Sequence, residues 1–140
     1  MIAPVAVNYL AVLVSAIASM LLGFLWYGPL FGKTWMKLMK WDPKKMGSMK
    51  ANSNMALSYG ITFVGSLVMA YVLAHIVGYT QAKTLMDGVV AGFWTWLGFI
   101  ATVSLGKVLW EGKSWNLYML DNAYHLVNLV VMGIILTLWV

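Results

Sequence analysis

Asp121, Asn122, His125 and Asn128 are the residues of this sequence whose types and spacing could do chemistry. On a helix, positions 121, 125 and 128 fall at i, i+4 and i+7, so a carboxyl, an imidazole and a carboxamide share one face. Asp121 and His125 form the titratable pair that general acid–base chemistry would use, although no nucleophile motif accompanies them. The surrounding stretch from Trp115 to Val140 is otherwise apolar and long enough to cross a bilayer, where polar groups are costly and need partners. Counting back from Leu138 puts Asp121 within about 3 Å of the inner boundary, a favourable place for a carboxylate near a helix N-terminus, with His125 and Asn128 about 9 and 14 Å deep. Ser19 and Thr62 on two other spans reach the His125 layer, at about 10 and 8 Å, and Thr102 lies slightly lower. A neutral imidazole has one donor and one acceptor to satisfy. The expected intramembrane cluster is therefore Asp121, Asn122, His125, Asn128, Ser19 and Thr62, with the His125 face turned inward and hydrogen-bonded across helices.

Other motifs carry less. Gly32-Lys33-Thr34 and Gly112-Lys113-Ser114 lack the earlier glycine of a phosphate loop, where Tyr27 and Lys107 stand instead, and neither follows a strand pattern. Met36, Met39, Met46 and Met49 have a spacing open to a soft metal, but it is also that of the apolar face of an interfacial helix. Helix rise separates His75 from His125 by about 18 Å of depth, so the two histidines do not share a ligand within one chain. No cofactor, metal site or catalytic residue set is expected. The sequence has no cysteine, which excludes disulfides, thiolate metal sites and cysteine nucleophiles.

The elements that must position the cluster follow from composition. With 62% apolar residues, 9% charged residues and a mean hydropathy of +0.82, 140 residues cannot enclose a water-soluble core. The charge-poor runs predict an all-α, four-helix transmembrane bundle in one domain spanning 1–140, with spans at about 5–27, 54–77, 85–105 and 117–139. The first run lacks the basic start of a signal peptide and is expected to be retained. Ala11, Ser15, Ser19 and Gly23 form a small-residue stripe on the first span. Ser58, Thr62, Ser66, Ala70 and Ala74 form a second stripe, and the two are expected to pack together. Gly88, Ala91, Gly92 and Gly98 in the third span sit beside Trp94 and Trp96, alternating close-approach and bulky surfaces.

Between the first two spans, lysines alternate with tryptophan and methionine, which predicts a short amphipathic interfacial helix at about 32–41. Trp26, Lys33, Trp35, Lys37, Lys113, Trp115 and Trp139 are the expected interfacial residues. Anionic lipid headgroups are a candidate partner for Lys33 to Lys50, and nucleic acid is not. The first and third connectors hold eight lysines, the second holds one and the tails none, so the positive-inside rule places both termini outside a cytoplasmic membrane. The tetrads Gly32-Lys33-Thr34-Trp35 and Gly112-Lys113-Ser114-Trp115 also hint at a parallel internal duplication.

Leu25-Trp26-Tyr27-Gly28-Pro29-Leu30-Phe31-Gly32-Lys33-Thr34-Trp35, Trp110-Glu111-Gly112-Lys113-Ser114-Trp115, Tyr124-His125-Leu126-Val127 and Met132-Gly133 resemble the domain of unknown function 1761 family of small bacterial integral membrane proteins. The likeness covers nearly the whole chain. It implies a four-helix membrane protein and carries no reaction, substrate or cofactor.

The stripes and the lack of catalytic motifs favour action by association, as a homo-oligomer or as an accessory subunit of a membrane complex, rather than catalysis. A small-solute or proton pathway around Asp121, His125 and Asn128 is the alternative, as is a membrane enzyme acting on lipid at the inner interface. The topology is directly testable. A reporter active only in the periplasm will work when fused after Val140, and one active only in the cytoplasm will work between Met46 and Ala51; the reverse pattern refutes the lysine count and every depth above.

Overall fold

An apolar chain in lipid must satisfy its backbone hydrogen bonds internally, and the four charge-poor runs do so as helices. The structure, a computed structural model, describes residues 4–39 and 55–139. Among them are four helices long and apolar enough to cross a membrane, Tyr9–Leu30, Ala56–Tyr79, Leu85–Leu109 and Trp115–Leu138, and no strand. The expected all-α architecture with four membrane-crossing helices is the observed one.

Helix α1 (Tyr9–Leu25) starts later than the apolar run because Asn8 caps it, its Oδ1 accepting from Leu10 N at 3.1 Å and Ala11 N at 3.2 Å. The helix then widens into a π turn over Trp26–Leu30, where Pro29 offers no N–H and Gly28 leaves helical geometry at φ −111° and ψ −106°. A short helix α2 (Gly32–Leu38) follows, as the lysine–tryptophan alternation predicts. Lys40, Lys44, Lys45 and Lys50, with Met46 and Met49, lie outside the described residues. The second span is α3 (Met55–Tyr79).

The third span is composite. Helix α4 (Leu85–Thr95) opens with a capping box in which Thr84 and Asp87 satisfy each other's backbone N–H. It passes through a second π segment (Trp96–Ala101) into α5 (Thr102–Leu109). A turn with Gly112 at φ +71° leads to α6 (Trp115–Leu138), whose N-cap is Ser114. The two look-alike tetrads therefore differ in structure. The first lies inside α2, while the second is a turn and a cap, so the tetrads themselves are not structurally equivalent.

Helix α6 is the hub, packing on α1, α3 and, most extensively, α4. At the α4–α6 crossing the two backbones touch: a Cβ on Gly92 would lie 2.6 Å from Leu129 O, and one on Gly88 2.7 Å from Gly133 O. Ala11, Ala70, Leu73, Leu129 and Met132 then close the core between α1, α3 and α6. The first-span stripe behaves as expected at Ala11, Ser15 and Ser19, which are buried, and Gly23 lies under the Tyr124 ring.

The second stripe needs correction. Ser66 and Ala70 are buried and Ala74 is half-buried, but Ser58 and Thr62 are exposed. Thr62 donates to the Ser58 carbonyl at 2.8 Å, so its hydroxyl is satisfied within its own helix and needs no neighbour.

The glycine crossing yields a prediction. Gly92→Ala, whose new methyl meets backbone that cannot rotate away, will lower stability by about 1–3 kcal/mol. Gly60→Ala is the control, because a Cβ there meets nothing within 4 Å; it will stay within about 0.5 kcal/mol of the parent. Thermal unfolding in detergent measures both, and equal effects would refute the backbone contact.

Candidate functional site

The lysine-bearing end of the molecule holds the cluster, where the first turns of α6 meet the π turn after α1. Tyr27, placed by that π turn, donates its hydroxyl to Asp121 Oδ1 at 2.7 Å. Its ring meets Tyr124 edge-on at 5.3 Å and Trp35 of α2 at 5.6 Å. Tyr124 in turn donates to the Ser19 carbonyl at 3.3 Å. Trp26 packs on Phe31 at 4.7 Å and on Tyr124 at 6.2 Å. On the other flank, Trp96 Nε1 donates to the Asn122 carbonyl at 2.9 Å and Tyr118 Oη to the Ala101 carbonyl at 2.7 Å. Both bonds tie the third-span π segment to α6. The Asn122 amide donates to the Tyr118 carbonyl one turn back at 2.9 Å.

Of the predicted cluster, Asp121, Asn122 and His125 come together, and Ser19 joins through its backbone carbonyl rather than its hydroxyl. Asn128 is buried deeper, its amide pointing at the Met69 sulfur at 3.8 Å, a weak acceptor. Thr62 does not join the cluster, since it is exposed and bonded to Ser58. Thr102 behaves alike, bonding to Gly98 O at 2.8 Å. The bond expected between His125 and these hydroxyls is consequently absent: among the described residues His125 has a ring contact with Tyr124 at 5.2 Å and no hydrogen bond. Half-buried, it borders a void of about 10 Å³ shared with Ser104, Lys107, Lys113, Asp121 and Asn122. A space of that size admits about one water.

Several buried polar atoms have no partner among the described residues: Trp26 Nε1, Asn122 Oδ1, Asn128 Oδ1, Ser15 Oγ and Thr137 Oγ1. The inward face of α6 between Asn128 and Thr137 is apolar, with Leu129, Met132 and Leu136 buried. His75 stands apart at the far end of α3, its Nδ1 2.8 Å from Tyr71 O. Among the described residues no group of three or more His, Asp or Glu could hold a metal ion. Of the expected interfacial residues, Lys33, Lys37, Lys113, Trp115 and Trp139 are exposed, while Trp26 and Trp35 are half-buried.

Tyr27, Tyr124, Trp96 and Tyr118 were not expected in the cluster. Their signal was available, because a phenol or indole carried into a membrane core must find an acceptor, and Tyr27 shares its depth with Asp121. Chemically the arrangement offers a phenol, a carboxyl and an imidazole within two helix turns, flanked by two lysines. It can hold or relay a proton.

Four membrane-length helices packed around an internal polar cluster define a helical membrane protein. Residues 10–137 match the family described as protein of unknown function (DUF1761), and the chain belongs to it. Comparison with curated proteins and with solved structures returns no match.

The Tyr27–Asp121 bond makes a measurable contribution. Tyr27→Phe will cost about 0.6 kcal/mol, the average for interhelical hydrogen bonds in membranes, and at most about 1.7 kcal/mol. A double-mutant cycle with Asp121→Ala, read by thermal unfolding, should return a coupling energy of that size. Additive single effects would refute the bond.

Proposed function

We propose that this protein acts by association within a cytoplasmic membrane, with both termini outside, as a homo-oligomer or an accessory subunit of a membrane complex. One observation carries the reading. One face of the first half of α3 is left open by the described residues: Ser58, Gly60, Ile61, Thr62, Val64 and Gly65 are all exposed, and a Cβ on Gly60 or Gly65 would meet nothing within 4 Å. Small residues in a membrane helix permit the close backbone approach through which helices associate in lipid. Thr62 adds little desolvation penalty to such an approach, because its hydroxyl is already bonded within the helix.

A proton or small-solute pathway is the second reading, favoured by the contact of Tyr27 with Asp121 beside His125. It ranks lower because the apolar stretch of α6 beyond Asn128 interrupts the polar track. A lipid-acting enzyme ranks lower still, because among the described residues His125 makes no hydrogen bond to Ser104, the hydroxyl that shares its void. Lys33 and Lys37, both exposed, suit anionic headgroups at the interface. The reading needs no cofactor.

Crosslinking and native mass spectrometry in mild detergent test the proposal. An oligomer or a stoichiometric co-purifying subunit is the expected result. Gly65→Leu, which the fold has room for, should shift the assembly towards monomer without lowering thermal stability. Parent protein that is monomeric and partnerless, or an assembly indifferent to Gly65→Leu, would overturn it.

A further inference from the structure

The end of the molecule opposite the polar cluster carries a half-open cleft of about 550 Å³. That volume lies within the range of roughly 300–1,000 Å³ typical of small-molecule sites. Its floor is apolar and made largely of small side chains, Ala11, Ala74, Val77 and Leu136, which leave the space between α1, α3 and α6 unfilled. Its mouth is polar, with Gln81 and Lys83 from the connector between α3 and α4. Among the described residues Lys83 is the one charged residue in its lining.

The walls are fixed by packing. A Cβ on Gly78 would lie 2.6 Å from Val5 Cγ1, so the extended segment before α1 is seated directly on the end of α3. Asn8 caps α1 with its oxygen and donates its amide to the Trp139 carbonyl at 3.3 Å, pinning that segment to the end of α6. Asp87, the acidic residue nearest in sequence to Lys83, turns its Oδ2 to the backbone N–H groups of Lys83 and Thr84, each at 3.0 Å. That carboxyl is engaged in the helix cap, and the Lys83 side chain is exposed at the mouth.

The floor belongs to membrane-crossing helices, whereas the mouth lies just beyond their ends at Tyr79 and Leu138. The cavity thus straddles the boundary between hydrocarbon and headgroup layers, apolar inward and cationic outward. We infer that it is a binding site for a free fatty acid, with the alkyl chain over Ala11, Ala74, Val77 and Leu136 and the carboxylate at Lys83. An ammonium recognises a carboxylate by charge-assisted hydrogen bonding.

The experiment uses the full chain in phosphatidylcholine nanodiscs, titrated with stearate brominated at mid-chain, a contact quencher of tryptophan. Trp139 lines the cavity, so quenching is read as the difference between the parent and Trp139→Phe. The expected result is saturable quenching of Trp139, with apparent affinity falling roughly tenfold in Lys83→Gln, as for loss of a hydrogen bond between charged groups. Lys33→Gln, at the other end of the molecule, should leave the affinity unchanged. The brominated methyl ester, which keeps the chain and lacks the charge, should bind as weakly as stearate binds to Lys83→Gln. Quenching that rises linearly with probe, or is equal in Trp139→Phe, would overturn the site. Equal affinity for the methyl ester or for brominated lysophosphatidylcholine, or an affinity indifferent to Lys83→Gln, would overturn the fatty acid as its ligand.

Discussion

The fold depends on backbone meeting backbone where α4 crosses α6. Gly88, Gly92 and Gly133 leave no side chain between the two helices, and lipid supplies no hydrophobic force to draw them together, so dispersion and close fit must hold the contact. That approach brings the third-span π segment within reach of α6, allowing Trp96 and Tyr118 to bond across. The helices α1 and α3 stand off farther. Ala11, Ala70, Leu73 and Met132 fill the space between them and α6, and where the filling side chains are small a cavity remains.

Polar groups divide by what their own helix can offer them. Threonine hydroxyls at 62, 80, 95 and 102 return to the carbonyl one turn back, which makes them silent in tertiary structure. Phenols and indoles are too long and rigid to do this, so Tyr27, Tyr118, Tyr124 and Trp96 carry bonds between helices. The three tyrosines lie towards the end that bears Lys33, Lys107 and Lys113, and Trp96 lies near mid-span. One end of the bundle is therefore cross-linked by aromatic donors, and the other is tied by the bond from Asn8 to the Trp139 carbonyl beside the cleft.

This division explains what could be read from the sequence. The four spans and the short α2 were legible because length, charge-free runs and breakers such as Pro29 are local properties. The first-span stripe was legible because small residues at four-residue spacing point one way on any helix. Thr62 was misassigned because spacing shows where a hydroxyl sits and not whether it is already satisfied. His125 was read beside Asp121 on one face of its helix, but its surroundings depend on Tyr124 and on the connector lysines. The tight contact of α4 with α6 needed both glycine sets at matching depth, a pairing between elements that no single-element pattern contains.

The π segment at Trp96–Ala101 bears on how relatives of this chain are to be compared. A π turn accommodates one residue more than an α turn, and one residue of an α-helix corresponds to about 100° of rotation. A relative lacking that extra residue would carry the same letters through Thr102–Leu109 on a helix turned by about that angle. Ser104, which borders the His125 void here, would then face elsewhere despite aligning perfectly. Positional equivalence beyond residue 101 therefore has to be established by phase as well as by letter.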